Sequence, residues 1–278
     1  MSVRAQVRTR NLRKACLKIL KKILLALAVL LLAAAALLCW LPARWAMPLL
    51  QPSLHGLRLQ QAGGTLWDGR ADQVVSPDGR MLGRVRWQLS RHALFGQIDL
   101  RLDFAGPQGS LRGHLRKLPA GQMDVSDLQA RVDLSALADP RLRWPWGQPR
   151  GELVLDVQHA LLQGGWPLAL QADWQWRQAA LHMKYGDVAL GNLHGMLAAQ
   201  GGVLHAQWQD DGHGPLRTAG DLDFSLLGWR LDAVLQPRQD DPVLQRWLAT
   251  LGRPAADGTL HIARSGGMAA ALTGKTAR

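Results

Sequence analysis

At 278 residues the chain is long enough to bury a core without disulfide or metal staples. Of its formal net charge of +12, eight charges are Arg4, Arg8, Arg10, Arg13, Lys14, Lys18, Lys21 and Lys22, with no acid among residues 1–22, which leaves +4 for everything after. An excess so localised, with no basic helix or stacking motif among the later arginines, argues against nucleic acid as a partner.

The basic leader, 1–22, runs into nineteen uncharged residues, 23–41. Ile23, Leu24, Leu25, Leu27, Val29, Leu30, Leu31, Leu32, Leu37, Leu38 and Leu41 supply its apolar bulk, with Trp40 at the end where interfacial aromatics sit. That length spans the hydrocarbon of a bilayer as a helix. Its strongly apolar residues favour insertion by about −3 to −6 kcal/mol. Positive charge on the N-terminal side predicts a cytoplasmic start, a single-pass anchor in the inner membrane, lipid as its partner, and export of all that follows. A cleaved signal peptide is the competing reading, with Ala33 to Ala36 as the small-residue site, but cleavage there would leave a new terminus of Leu37, Leu38, Cys39, Trp40 and Leu41. Both cysteines, Cys16 and Cys39, precede residue 42, so the exported part can form no internal disulfide.

Residues 42–62 read as a juxtamembrane connection in which Pro42, Pro48 and Pro52 limit any helix to a turn or two. From 63 to 265 the period changes to two. Val85, Trp87 and Leu89 alternate with Arg84, Arg86 and Gln88, and Ile98, Leu100, Leu102 and Phe104 with Asp99, Arg101 and Asp103. Similar runs occupy 128–134, 153–157, 168–176, 222–226 and 229–235, separated by turns such as Gln163-Gly164-Gly165 and Gly212-His213-Gly214-Pro215. Short connections demand antiparallel pairing. The expected fold is mainly β: a transmembrane helix, then a curved, groove-like antiparallel sheet with one short late helix.

That helix is framed by Asp241 as cap, Pro242 in the first turn and Gly252 as stop, with Leu244, Trp247, Leu248 and Leu251 on one face. A last strand follows over 259–263, and 266–278 reads as a flexible tail. Twelve Trp against three Phe and one Tyr is heavy use, and Trp87, Trp174, Trp176, Trp208 and Trp229 sit on strand faces. They read as core filling of a curved sheet or as an apolar groove or partner surface.

Nothing in the chain resembles an active site. Nine histidines are scattered without HxxxH or HExxH spacing, and no Walker loop, nucleophile elbow or GxGxxG is present. Asp210-Asp211-Gly212-His213 is read as a turn before it is read as a metal ligand set. No catalytic residue, metal or cofactor is expected.

The order of these features, together with Gly64-Thr65-Leu66-Trp67-Asp68-Gly69-Arg70-Ala71, resembles the type II secretion system protein N family. Leu82-Gly83, Gly220-Asp221-Leu222, Leu251-Gly252 and Asp257-Gly258 extend the likeness over most of the chain. The resemblance implies a non-enzymatic inner-membrane accessory of the machinery that moves folded proteins from the periplasm across the outer membrane. Its implied partners are other components of that machinery, in the inner-membrane platform or the secretin. The alternative is a tethered β-groove that handles lipid or assists envelope assembly; a glycan-binding module rests on the Trp count alone. Within the motif, Gly64 and Gly69 are expected to permit tight turns around Trp67, with Trp67 anchoring the first hairpin.

Overall fold

The computed structural model describes residues 42–43, 56–137 and 147–267; the expected anchor, including Trp40, and the tail beyond 267 lie outside them. The described chain is one antiparallel sheet of thirteen strands in strict sequence order, so every strand pairs only with its chain neighbours. The strands are β1 (Arg58–Gly64), β2 (Asp68–Val75), β3 (Met81–Leu89), β4 (Asp99–Gly106), β5 (Gly109–Lys117), β6 (Gln122–Asp133) and β7 (Gln148–Gln163). They continue as β8 (Trp166–Met183), β9 (Gly186–Gln200), β10 (Val203–Asp210), β11 (Leu216–Ser225), β12 (Gly228–Pro237) and β13 (Leu260–Gly267). The sheet is not closed: β1 and β13 are its two edges.

Directly opposed residues of neighbouring strands project from the same face, so the register sorts the sequence into rows running across the strands. One row reads Ala71, Val85, Phe104, Leu111, Ala130, Leu155, Trp174, Gly195, Trp208, Gly220, Ala233 and Ile262, without a single charge from β2 to β13. On the opposite face a row runs Arg70, Arg86, Asp103, Arg112, Gln129, Asp156 and Asp173. One face is therefore apolar across the sheet and the other polar, as alternation requires of a sheet with one wet side.

Three buried clusters mark the apolar face: Ala71, Val74 and Val85; Val125, Val157, Ala160 and Ala172; and a larger one from Ala179 to Leu260. Only the last involves the helix α1 (Pro242–Leu251), which lays Leu244, Trp247 and Leu248 against Leu181, Val188, Leu190, Leu193, Leu216, Leu235 and Leu260. Asp241 caps α1 by accepting the Val243 N–H at 2.8 Å, Pro242 sits in its first turn, and the Gly252 N–H closes it on the Leu248 carbonyl.

The sheet curls at β8–β11. Residues of β8 and β10 approach within 8 Å between Cα atoms, where a flat sheet would hold them roughly 9.5 Å apart. Trp166 of β8 and Phe224 of β11 bring their ring centroids to 5.7 Å, although three strand spacings on a flat sheet measure about 14 Å. Phe224 belongs to the apolar face, so the curl turns that face inward.

The mainly β, antiparallel class and the late helix agree with the sequence reading. It does not separate strands β1, β2, β5, β9 and β10. In β5 Gly113 stands where an apolar residue would complete the alternation, and β9 carries Gly191 and Gly195. The long strands β7 and β8 also change phase partway, at bulges beside His159 and between Trp176 and Ala179. A bulge transfers the apolar set between odd and even positions, from odd to even in β7 and from even to odd in β8.

Candidate functional site: the apolar sheet face

The five tryptophans singled out in the sequence lie in β3, β8, β10 and β12, and four of them share one local arrangement. Trp87 faces Gly69, Trp174 faces Gly195, Trp208 faces Gly220 and Trp229 faces Gly266 across the strand pair. A Cβ at Gly69 would come within 2.3 Å of the Trp87 ring, at Gly220 within 2.4 Å of the Trp208 ring, and at Gly195 and Gly266 within 2.9 and 2.7 Å of indole nitrogens. Each indole thus lies down over a neighbouring strand where no side chain stands. This flattens a large ring onto the sheet and covers backbone that glycine leaves bare. Trp176 instead donates its indole N–H to the Arg150 carbonyl at 2.8 Å.

Trp174 and Trp208 fall in one cross-strand row, on either side of Gly195, and Trp176 sits one step along the same face beside Leu153 and Leu193. Trp87 is far along the sheet, in the cluster with Val85, Leu102 and Phe104. Trp229 closes the row of Phe224 at the edge of the face and is 37 % exposed. The described residues place α1 over the β8–β13 portion, and none of its residues joins the two clusters over β1–β9. A continuous apolar surface, floored by glycine and flattened indoles, is the most distinctive feature of the molecule.

Gly64, Thr65, Leu66, Trp67, Gly69 and Ala71 form the β1–β2 connection and the start of β2. Gly64 has φ +82° and no room for a side chain against the Asp68 carbonyl, so it does serve the turn. Gly69 has an ordinary φ; what requires glycine there is the Trp87 ring. The connection is tied to the end of β3 by the Trp87 indole N–H on the Leu66 carbonyl at 3.0 Å and the Leu89 N–H on the Trp67 carbonyl at 2.7 Å. Trp67 and Ala71 are buried. Pro42 bridges Thr65, so the chain enters the domain at this connection.

Polar groups are arranged as structural pairs. Asp99 meets His114 Nε2 at 2.7 Å, and this bond, joined by Arg116 and Arg101, holds its carboxyl below the usual range against the opposing pull of partial burial. Asp187 is lowered in the same way, by His182 and then Arg150. Asp210, its side chain only 7 % exposed, interrupts the apolar face. Burial pushes its carboxyl up, but the Thr218 N–H, Arg238 and the Gly212 N–H together outweigh it and leave it lowered. The Asp210–His213 segment is a turn braced by its own carboxylates. Among the described residues no group of three or more His, Cys, Asp or Glu side chains is placed to hold a metal. No described helix is long and apolar enough to cross a membrane; the stretch 23–41 lies outside the described residues.

The sequence reading missed one surface feature. Among the described residues, the exposed large apolar side chains other than Met81 and Met196 lie at one end of the strands, where the odd-numbered strands finish: Leu94, Phe95, Ile98, Met123, Phe224, Leu226, Leu227 and Trp229. The signal was two adjacent apolar residues, Leu94-Phe95, inside a connection.

Comparison with known proteins gives this fold a family. The family model for type II secretion system protein N matches residues 55–263. The chain is 29 % identical over 225 residues to the type II secretion system protein N of Klebsiella pneumoniae, covering 78 % of this chain and 86 % of that protein. No solved structure matches it. The match spans the sheet from β1 into β13, including the Gly64–Ala71 connection, the Trp-over-Gly pairs at Trp87, Trp174 and Trp208, and α1: the chain belongs to the type II secretion system protein N family.

Proposed function

We propose that this type II secretion component is a non-enzymatic accessory subunit, anchored in the inner membrane by residues 23–41 with its N-terminus in the cytoplasm and its sheet in the periplasm. It supports the passage of folded proteins from the periplasm across the outer membrane through contacts with other secretion components. The observation that carries this reading is the apolar face, which runs across twelve strands with α1 over one end of it. An apolar face of that extent, buried to half-buried along this row, suits a contact site. Deleting the gene in a strain lacking any substitute is expected to trap normally secreted enzymes in the periplasm, and the full chain should restore their release. Unchanged secretion in that strain would refute the proposal.

The inward curl at Trp166 and Phe224 favours a second reading, a groove that accommodates acyl chains. Native mass spectrometry of the protein released from detergent separates the two: a lipid carrier retains lipid, a contact module does not.

A further inference from the structure

The connection between β3 and β4 presents apolar side chains to solvent from a rigid frame. Arg91–Phe95 forms a short 3-10 helix whose start is capped by Ser90, accepting the His92 N–H, and whose end is closed by Gly96 at φ +83° donating to the Ala93 carbonyl. Leu94 is 49 % and Phe95 83 % exposed. Ile98 and Met123 lie beside this turn, since the Lys117 N–H bonds the Ile98 carbonyl and Met123 pairs with Lys117. A phenylalanine held open by two caps gains nothing from water, so the exposure calls for an occupant.

Where the chain enters identifies that occupant. Pro42 bridges Thr65 in the β1–β2 connection, and the Leu89 N–H bonds the Trp67 carbonyl of the same connection. The end of β3, immediately before the apolar turn, is therefore next to the point of entry. The residues that precede Pro42 are the uncharged stretch 23–41. Arg91 and Lys117 flank the turn, and neither has an ion-pair partner among the described residues. Apolar tips bordered by free cations suit the boundary between acyl chains and anionic headgroups.

We infer that Leu94 and Phe95 insert into the outer-facing leaflet of the membrane, seating this end of the strands on the bilayer beside the anchor. The inference rests on the anchored reading but can fail separately from it. In the full chain, with Cys16→Ser and Cys39→Ala, a polarity-sensitive fluorophore is placed at Phe95→Cys, at Leu94→Cys, or at Met81→Cys, an exposed site at the opposite end of β3. The protein is reconstituted into phosphatidylethanolamine and phosphatidylglycerol vesicles. At 94 and 95 the emission should shift to the blue and be quenched by lipid-borne nitroxide more than by aqueous iodide, with the reverse at 81. Iodide quenching at all three sites overturns the inference, as does a probe at 95 that is wet in these vesicles and shielded only in native membranes, where a protein would be the occupant. Alkaline extraction reports on the anchor independently: a chain released by carbonate whose probes had been quenched from the lipid side keeps the insertion and loses the anchor.

Discussion

The indole of Trp208 lies across Gly220, its directly opposed partner in β11, so closely that a Cβ at that glycine would stand 2.4 Å from ring carbon Cζ2 and 2.8 Å from the Asp232 carbonyl. The ring and the glycine are therefore one packing unit. Gly220→Ala must displace both an indole and a strand backbone, and overpacking of this kind costs about 1–3 kcal/mol. Gly63→Ala is the control, because its nearest neighbour is the flexible Arg70 side chain at 3.8 Å and its φ is ordinary; its effect should stay within about 0.5 kcal/mol. Urea unfolding of the two variants checks the contrast, and equal midpoints would show that the Trp208 ring moves aside freely.

That relationship marks the limit of what the sequence discloses. The alternation of Ile98 to Phe104 and the caps of α1 are local signals, visible because each depends on residues a few positions apart. The pairing of Trp208 with Gly220 depends on register between strands, which the eleven intervening residues do not encode in any periodicity. Phase changes hid more of the pattern. Asp127 and Gln178 adopt positive φ within strands, and around each the apolar set passes between odd and even positions, Val125 to Leu128 and Trp176 to Ala179. Gln178 is held there by the Asn192 side chain, which accepts its N–H at 2.8 Å, a contact fourteen residues away. The apolar pair Leu94 and Phe95 escapes notice for the opposite reason: a connection gives no period against which two apolar residues stand out.

Helix α1 should behave as part of the core. Leu248 is 1 % exposed and touches the largest cluster, so Leu248→Ala removes buried contacts and leaves a cavity, costing about 2–5 kcal/mol. Asp241→Ala leaves packing intact and removes only the acceptor for the Val243 N–H, a loss of about 1 kcal/mol. Thermal unfolding should rank the two in that order. The reverse ranking would mean that α1 is held by its cap rather than by the face beneath it.

Ion pairs on the two faces should differ in worth. Arg112 and Asp103 meet at 2.9 Å with side chains 72 % and 45 % exposed, a setting where water competes and the coupling is about 0–1 kcal/mol. The Arg238–Asp210 pair is largely withdrawn from water, at 30 % and 7 %. Double-mutant cycles should give a larger coupling for the second pair, and a measurable coupling confined to Arg112–Asp103 would contradict this account of the faces.

Acid stability should follow from Asp210. Its folded carboxyl is lowered because the Thr218 N–H, Arg238 and the Gly212 N–H together overcome the burial that pushes it up. A carboxyl lowered on folding binds its proton more tightly in the unfolded chain. Its contribution is therefore complete above the unfolded value, about pH 4, and fades as pH falls through the folded value. Wild-type stability should decline on acidification below about pH 4, and Asp99, lowered chiefly by its bond to His114, adds to the same decline. Asp210→Asn should be less stable at neutral pH, where Arg238 is left facing a neutral amide, and should lose less on further acidification. Urea unfolding from pH 7 into the acid range reads both effects. Parallel acid limbs in the two proteins would assign the decline to other carboxylates and leave Asp210 with a neutral-pH role alone.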